Sequence, residues 1–230
     1  MFVLADLTVT YPDGTRAVEG VSFRLAPGES AVLAGANGAG KSSLILAAVG
    51  VLPSTGMVCA DGVTLEKKNL AELRRRVGVL FQNPDDQLFS ATIYDDIAFG
   101  PRNMGLSAEE TERRVSEALA LLGIEYLRGK TALKLSGGEK RLAALASVLA
   151  MKPSVLLFDE PTAFLDPRAR RNLIKIMNGL PQTKLIASHD LPFAGAVASR
   201  AIVLKRGRLF ADGAAREILR DEKLMEEGGL

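Results

Sequence analysis

The sequence predicts an α/β fold with a mostly parallel central sheet, because short apolar segments of strand length alternate with longer helical segments. Four apolar segments are typical of buried strands: Ser30–Ala34, Val77–Phe81, Ser154–Phe158 and Lys184–Ala187. Two earlier segments, rich in β-formers and alternating to different degrees, predict further strands: Phe2–Tyr11 and Val21–Leu25. These early strands predict an antiparallel portion attached to the parallel sheet.

Three segments carry the apolar spacing of helices. Ala108–Leu122 is apolar along one face and charged elsewhere, Glu139–Met151 ends before Lys-Pro, and Arg168–Leu180 follows a start signal. That signal is Asp166, which predicts an N-cap, with Pro167 at the first helical position.

Composition excludes several classes of protein. The 230 residues are 47% apolar and 24% charged, which is typical of a folded globular chain and not of a disordered one. Lys plus Arg number 29 and Asp plus Glu 27, so a chain built to coat nucleic acid is excluded and no nucleic-acid partner is predicted. The basic clusters Arg74–Arg76 and Arg168–Arg171 are interpreted as solvated helix faces.

Targeting signals are not predicted either. The nearest candidate for a long apolar stretch is Leu142–Met151, well short of the ~18 to 20 residues that a spanning helix needs. The N-terminus has no basic region and contains Asp6, which predicts no secretory signal. Cys59 is the only cysteine, which fits a reducing compartment.

A glycine-rich segment, Gly35–Ser42, fits Gly-x4-Gly-Lys-Ser between a predicted strand and a predicted helix. Glycines let backbone N–H groups approach phosphate oxygens, Lys41 reaches the β- and γ-phosphates, and the Ser42 hydroxyl is a ligand for Mg2+. The alternative is a glycine-rich turn with a chance Lys-Ser. We predict that nucleotide phosphates bind these loop residues and the one that follows: Gly35, Asn37, Gly38, Gly40, Lys41, Ser42 and Ser43.

Two adjacent acids, Asp159 and Glu160, follow the last residues of a predicted strand. In a parallel sheet such strand ends face the ligand crevice. Asp159 is predicted to bind Mg2+ or orient its waters, and Glu160 to polarise an attacking water. The alternative is a solvated loop before the turn at Pro161.

A capping box is predicted at Leu135–Glu139, where Ser136 and Glu139 would satisfy each other's backbone N–H groups. This pattern indicates a well-capped helix. It also indicates a second anion site, because glycines expose the amides of the helix N-terminus.

In this order, the three motifs closely resemble those of the ATP-binding-cassette (ABC) ATPases, over nearly the whole chain. The resemblance implies a P-loop NTPase fold in one domain, 1–230, with an antiparallel β subdomain and a helical subdomain at about 84–150. Two residues depart from the family pattern: Glu139 stands where Gln is usual, and Phe164 where a small residue is commoner.

The resemblance also implies roles for residues outside the motifs. Tyr11 would stack on adenine, Asp166 would belong to the D-loop, and His189 would contact the γ-phosphate as a catalytic residue beside Glu160. Gln82 would join the Mg2+ ligands and link them to the region that moves.

A partner follows from the implied mechanism. Two such domains face each other head to tail and trap two ATP molecules, each between the phosphate loop of one subunit and the Ser136 and Gly138 of the other. The partner would be a second ABC ATPase subunit, either identical or a paralogue.

The segment Phe81–Pro101 resembles the ATPases of energy-coupling-factor (ECF) importers, which take up vitamins or cobalt and nickel ions, and Leu135–Met151 resembles the cobalt and nickel type. This implies integral membrane subunits as partners and a peripheral location on the cytoplasmic face of the cell membrane. Asp85, Asp86 and Gln87 would then line a groove for a helix of the membrane subunit, or otherwise form a polar turn. A vitamin importer and a soluble ATPase of the iron–sulfur assembly type remain alternatives.

Overall fold

A computed structural model describes residues 1–163 and 165–230, so Phe164 lies outside the described residues. The strands of the described ranges are β1 (Phe2–Thr10), β2 (Arg16–Leu25), β3 (Ser30–Ala34), β4 (Ser54–Ala60), β5 (Val63–Thr64), β6 (Val77–Leu80), β7 (Val155–Asp159), β8 (Thr183–Ala187), β9 (Arg200–Lys205) and β10 (Arg208–Ala214).

The helices of the same ranges are α1 (Lys41–Ala48), α2 (Leu70–Arg76), α3 (Ile93–Asn103), α4 (Ala108–Leu122), α5 (Gly137–Leu149), α6 (Pro167–Gly179), α7 (Leu191–Val197), α8 (Ala215–Ile218) and α9 (Glu222–Gly228). None of these helices is long and apolar enough to cross a membrane.

The early strands form an antiparallel sheet in the order β2-β1-β4-β5. One face of β1 and β2 is apolar and buried, and side chains such as Phe2 and Val21 are fully enclosed there. The antiparallel portion predicted from the sequence is therefore confirmed. The second strand begins at Arg16, five residues earlier than the alternation of Val21–Leu25 indicates.

The second sheet has the order β10-β9-β3-β8-β7-β6, and all neighbours except β10 and β9 run parallel. The parallel strands β3, β7 and β8 have almost no exposed residues, as strands covered on both faces require. The predicted α/β class is confirmed. Because parallel strands point the same way, the segments that follow β3, β6, β7 and β8 lie at one edge of the sheet.

Three helices, α3, α4 and α5, lie between β6 and β7 in the chain and pack on one another. The α4 helix has the predicted bounds, and its apolar face is buried through Val115, Leu119 and Leu122. The predicted limits of the helical subdomain, 84–150, enclose these helices but stay a prediction.

The other predicted elements have their observed bounds or differ from them by at most two residues. The α5 helix starts at Gly137, because Ser136 is its N-cap, and α6 starts at Pro167, because Asp166 accepts hydrogen bonds from two backbone amides there. The predicted cap and first-turn proline are confirmed.

Two glycines allow a matched pair of substitutions: Gly56 lies in β4, and Gly14 lies in the turn between β1 and β2. Gly56 has φ +89°, and an added Cβ would lie 2.2 Å from the Asp6 carbonyl oxygen; Gly14 has φ +86° with nothing within 4 Å. We expect Gly14→Ala to lower the free energy of unfolding by ~1 kcal/mol from backbone conformation alone, and Gly56→Ala by about 3 kcal/mol because a backbone clash is added. Denaturant unfolding measures both, and equal losses would contradict this account.

Candidate functional site

The phosphate-loop segment joins β3 to α1, and its glycines serve two different purposes. An added Cβ would lie 2.5 Å from the Leu204 carbonyl oxygen at Gly35 and 2.3 Å from that of Ala17 at Gly40. Both glycines are therefore required by close packing against neighbouring backbone. Gly38, with φ +80°, has nothing within 4 Å of the same position, so its surface is open to a ligand.

Lys41 lies inside the curve of this loop. Its side chain is 6% exposed, and its Nζ donates to the carbonyl oxygens of Gly35 at 2.7 Å and Ala36 at 3.2 Å. Burial lowers the pKa of Lys41, whereas the carboxylates of Glu160 and Asp159 oppose that shift. The loop thus holds a cation at the start of α1, whose N-cap residue supplies no side-chain acceptor to the first-turn amides.

Asp159, the last residue of β7, reaches back to the start of α1. The Ser42 Oγ donates to its Oδ1 at 3.0 Å. Burial raises the pKa of Asp159, and the hydrogen bond from Ser42 opposes that shift. A serine hydroxyl and a carboxylate side by side are the hard oxygen ligands that Mg2+ takes, so these two residues fit the ion expected with nucleotide.

Glu160 follows directly but turns to other partners. Its φ of +45° is unusual for a residue with a side chain, and its N–H donates to the Ala187 carbonyl oxygen at 2.9 Å. The Oε1 lies 2.9 Å from Nδ1 of His189, and Oε2 accepts from the N–H of His189 and the Oγ of Ser188, each at 3.4 Å. A glutamate side chain that is 9% exposed therefore meets an imidazole side chain that is 65% exposed.

Other predicted residues lie around this centre. The Tyr11 hydroxyl is 2.9 Å from the Oγ of Ser43 on α1, a contact that ties the end of the ring to the helix after the phosphate loop. The side chains of Asn37 and Gln82 are exposed, and Gln82 follows β6 at the same edge of the sheet as Asp159.

The remaining three predicted residues line a separate groove of about 630 Å³ between α5 and α6. Ser136 forms the predicted capping box with Glu139, and Asp166 caps α6. An added Cβ on Gly138 would lie 3.2 Å from the Cβ of Ala169, so the two helix starts nearly touch. Among the described residues that line this groove, none belongs to the phosphate loop, and none is Asp159, Glu160 or His189.

Sequence reasoning missed Arg141. Its guanidinium is 1% exposed and donates to the carbonyl oxygens of Phe81 and Gln82, each at 2.6 Å. Burial lowers the pKa of Arg141 to about 10, against the attraction of Asp159. The available signal was one arginine within the most apolar predicted helix. Arg141 ties α5 to the segment that carries Gln82.

Two arginines of the basic clusters interpreted above as solvated helix faces also contact the rest of the chain: Arg74 is exposed as predicted, whereas Arg170 is only partly exposed. Arg74 donates to the carbonyl oxygens of Val49 at 3.0 Å and Gly50 at 3.3 Å. Arg170 forms a bidentate ion pair with Asp190 at 2.7 and 2.8 Å. Both arginines join parts of the chain that are distant in sequence, which spacing cannot reveal.

The polar segment after β6 contains the turn that the sequence offers as an alternative, because Pro84–Asp86 is a short 3-10 turn capped by the side chain of Asn83. Asp85 contacts the Nζ of Lys140 at 2.6 Å, and both Asp85 and Asp86 are exposed. The Nε2 of Gln87 donates to the carbonyl oxygen of Ala144 at 3.0 Å. These contacts fasten the segment to α5.

Comparison with known proteins places these features in a family. The family model described as ABC transporter matches residues 18–163. A putative ABC transporter ATP-binding protein of Geobacter sulfurreducens is 48% identical, over 96% of this chain and 89% of its own length. The energy-coupling factor transporter ATP-binding protein EcfA of Methanothermobacter thermautotrophicus is 44% identical, covering 100% and 76%. The cobalt import ATP-binding protein CbiO of Rhodobacter capsulatus is 44% identical, covering 97% and 82%.

Two solved structures also resemble this chain. CbiO1 of Clostridium perfringens, described as part of the ABC transporter complex CbiONQ, superposes with a TM-score of 0.85 at 36% identity, covering 98% of this chain and 93% of its own. An ATP-binding cassette solved as a dimer in a post-hydrolysis state with ADP and Pi gives 0.83 at 26% identity, covering 94% and 99%.

Substitution of two loop glycines tests nucleotide binding and folding stability independently. We expect Gly38→Ala to weaken nucleotide binding more than tenfold, because its methyl group enters the open space where phosphates are predicted, and to cost only ~1 kcal/mol of unfolding free energy. Gly40→Ala should instead destabilise the fold, because its methyl group meets the Ala17 carbonyl oxygen. Titration with a fluorescently labelled ATP, together with denaturant unfolding, distinguishes them. Unimpaired binding by Gly38→Ala would contradict the predicted phosphate position.

Proposed function

Because the chain belongs to the ABC transporter family and is therefore an ATP hydrolase, we propose that it powers an importer of the energy-coupling-factor type that carries cobalt or nickel ions. The observation that supports ATP hydrolysis at this site is that the two adjacent acids at the end of β7 contact different partners. Asp159 contacts Ser42 of the phosphate loop, and Glu160 contacts His189.

The proposed roles follow from these contacts. The phosphate loop and Lys41 hold the phosphates of ATP, while Ser42 and Asp159, with Gln82 near the same edge, hold Mg2+. When bound, Mg2+ neutralises charge on the phosphate oxygens. Tyr11 stacks on adenine.

Glu160 is the proposed general base. Its Oε1 lies 2.9 Å from the Nδ1 of His189, and its Oε2 accepts a longer hydrogen bond from the His189 N–H. The carboxylate is therefore held towards His189. A water attacking the γ-phosphate would give its proton to Glu160. The exposed imidazole of His189 would contact the γ-phosphate.

Ser136, Gly138 and Asp166 serve a second subunit in this proposal. Among the residues that the structure describes, none from the phosphate loop of the same chain lines their groove. A relative solved as a dimer supports pairing of two cassettes, so that each groove meets the ATP of the partner. The partner is a second copy or a paralogue.

A different groove supports the membrane partner. It has a volume of about 630 Å³ and lies between β6, α3 and α5. At its rim Phe89 is 65% exposed and Phe99 is 48% exposed, and the rings pack edge to face with centroids 5.0 Å apart. Two exposed aromatic side chains on an open groove are typical of a protein interface. We assign this groove to a helix of an integral membrane subunit, and in this proposal the chain lies peripherally on the cytoplasmic face of the membrane.

Replacement of the proposed base tests the catalytic assignment. We expect Glu160→Gln to lower ATP turnover at least 100-fold, because general-base catalysis is worth roughly that factor or more, and to leave ATP binding intact. Phosphate release and labelled-nucleotide titration measure the two effects. The control is Glu29→Gln, which alters a glutamate paired with Arg200 and should leave turnover unchanged. Full turnover by Glu160→Gln would overturn the assignment.

Co-purification tests the transport assignment. The chain should be recovered from cells with integral membrane subunits, and Phe89→Ser with Phe99→Ser should lose them while ATP binding persists. Leu133→Ser is the control, since Leu133 is 89% exposed but does not line the groove. Recovery of the unaltered chain with soluble partners only would favour an assembly ATPase of the iron–sulfur type instead.

Uptake by cells that express the complex tests the cargo. Cobalt or nickel accumulation that disappears with Glu160→Gln supports the proposed cargo, and accumulation of a labelled vitamin in its place would contradict it.

A further inference from the structure

One ion pair joins two segments that the proposed mechanism uses separately. Arg170 lies on α6, and Asp190 follows His189 directly at the start of α7. The Nε of Arg170 donates to Oδ2 of Asp190 at 2.8 Å, and its Nη2 donates to Oδ1 at 2.7 Å. Such a two-point contact fixes orientation as well as distance.

Asp190 is fixed from other directions too. Its Oδ1 accepts from the N–H of Phe193 at 3.0 Å, so it caps α7, and its own N–H donates to the Oγ of Ser188 at 3.1 Å. Burial favours a higher pKa for Asp190, but the hydrogen bonds from Arg170 and Phe193 outweigh it, and the pKa lies below its ordinary value. The residue is therefore a charged and well-anchored part of the chain.

The position of His189 depends on this anchor. Its side chain is 65% exposed, so packing contributes little to holding the imidazole. It is held by the contact of Nδ1 with Glu160 and by its backbone, whose next residue is Asp190. Movement of Asp190 would therefore move His189 relative to Glu160.

The other end of the pair leads to the groove between α5 and α6. The N–H of Arg170 donates to the Asp166 carbonyl oxygen at 2.9 Å in the first turn of α6. Asp166 caps that turn and lines the groove together with Ser136. A continuous set of contacts thus runs from the groove to Glu160.

We propose that Arg170 and Asp190 are positioning residues that hold His189 against Glu160 and tie it to the α6 turn that bears Asp166. This inference rests on the roles proposed above for Glu160 and His189. A purely structural ion pair would contribute to folding stability but would have no particular effect on turnover.

A double-mutant cycle tests the pair. Arg170→Met keeps the apolar stem, and Asp190→Asn keeps a good helix cap. In the ATPase as it is recovered from cells with its partners, each change should lower kcat about tenfold with the KM for ATP within about twofold. The two changes together should lower kcat no further, because each one breaks the same contact. Arg170→Lys, which retains the charge, should restore part of the loss.

A second background shows whether the pair acts through His189. In His189→Ala, adding Arg170→Met should produce no further loss of kcat. The matched control is the bidentate pair of Arg200 and Asp212, at 2.6 and 2.7 Å on β9 and β10, whose disruption should lower the unfolding temperature but leave kcat unchanged.

Two results would overturn the inference: normal kcat in Arg170→Met and Asp190→Asn, or a further additive loss in the His189→Ala background. Failure of the underlying roles looks different. In that case Glu160→Gln and His189→Ala would themselves turn over ATP normally.

Discussion

The backbone of Glu160 is the constraint on which the rest of the site depends. Two consecutive residues of an extended strand would point to opposite faces. Here β7 ends at Asp159, and Glu160 adopts a φ of +45°, a conformation that costs about 1 to 3 kcal/mol for a residue with a side chain. The cost is offset by the hydrogen bond from its N–H to the Ala187 carbonyl oxygen and by the contacts of its carboxylate with His189 and Ser188. The result is that adjacent carboxylates face different partners, Ser42 and His189.

The parallel sheet supplies the rest of the arrangement. The phosphate loop follows β3, Gln82 follows β6, the acids end β7 and His189 follows β8. These four strands are consecutive in the sheet, in the order β3-β8-β7-β6, so side chains distant in sequence meet at one edge. The helices α5 and α6 instead bring Ser136 and Asp166 together away from that edge. In the proposed function one chain therefore supplies two separate half-sites, which is the geometric reason that a second cassette is needed there.

Much of this could be predicted from the sequence where the signal is local. The bounds of α4 follow from its apolar spacing, and the capping box at Ser136 and the cap at Asp166 follow from residue types at fixed offsets. The phosphate loop was found for the same reason, although its individual glycines differ in purpose. At Gly40 a side chain would clash with the Ala17 backbone, whereas at Gly38 the space next to the backbone is open to a ligand. A motif alone does not distinguish these two reasons.

The rest depends on contacts between distant parts of the chain. Arg141 donates to the carbonyl oxygens of Phe81 and Gln82, which lie 60 and 59 residues earlier in the chain. Arg170 pairs with Asp190, 20 residues later. Neither partner is marked by any pattern near the arginine. The φ of Glu160 could not be predicted either, because glutamate has no preference for that conformation, and the hydrogen bond of its N–H to Ala187 of β8 joins strands that are distant in sequence.

The most direct test of the central claim is a crystal structure of the Glu160→Gln variant with ATP and Mg2+. The account predicts the phosphates against the open face of Gly38 and near Lys41, Mg2+ beside Ser42 and Asp159, and the γ-phosphate next to residues 160 and 189. Phosphates bound in the groove of Ser136 and Asp166 of the same chain, without the phosphate loop, would contradict it.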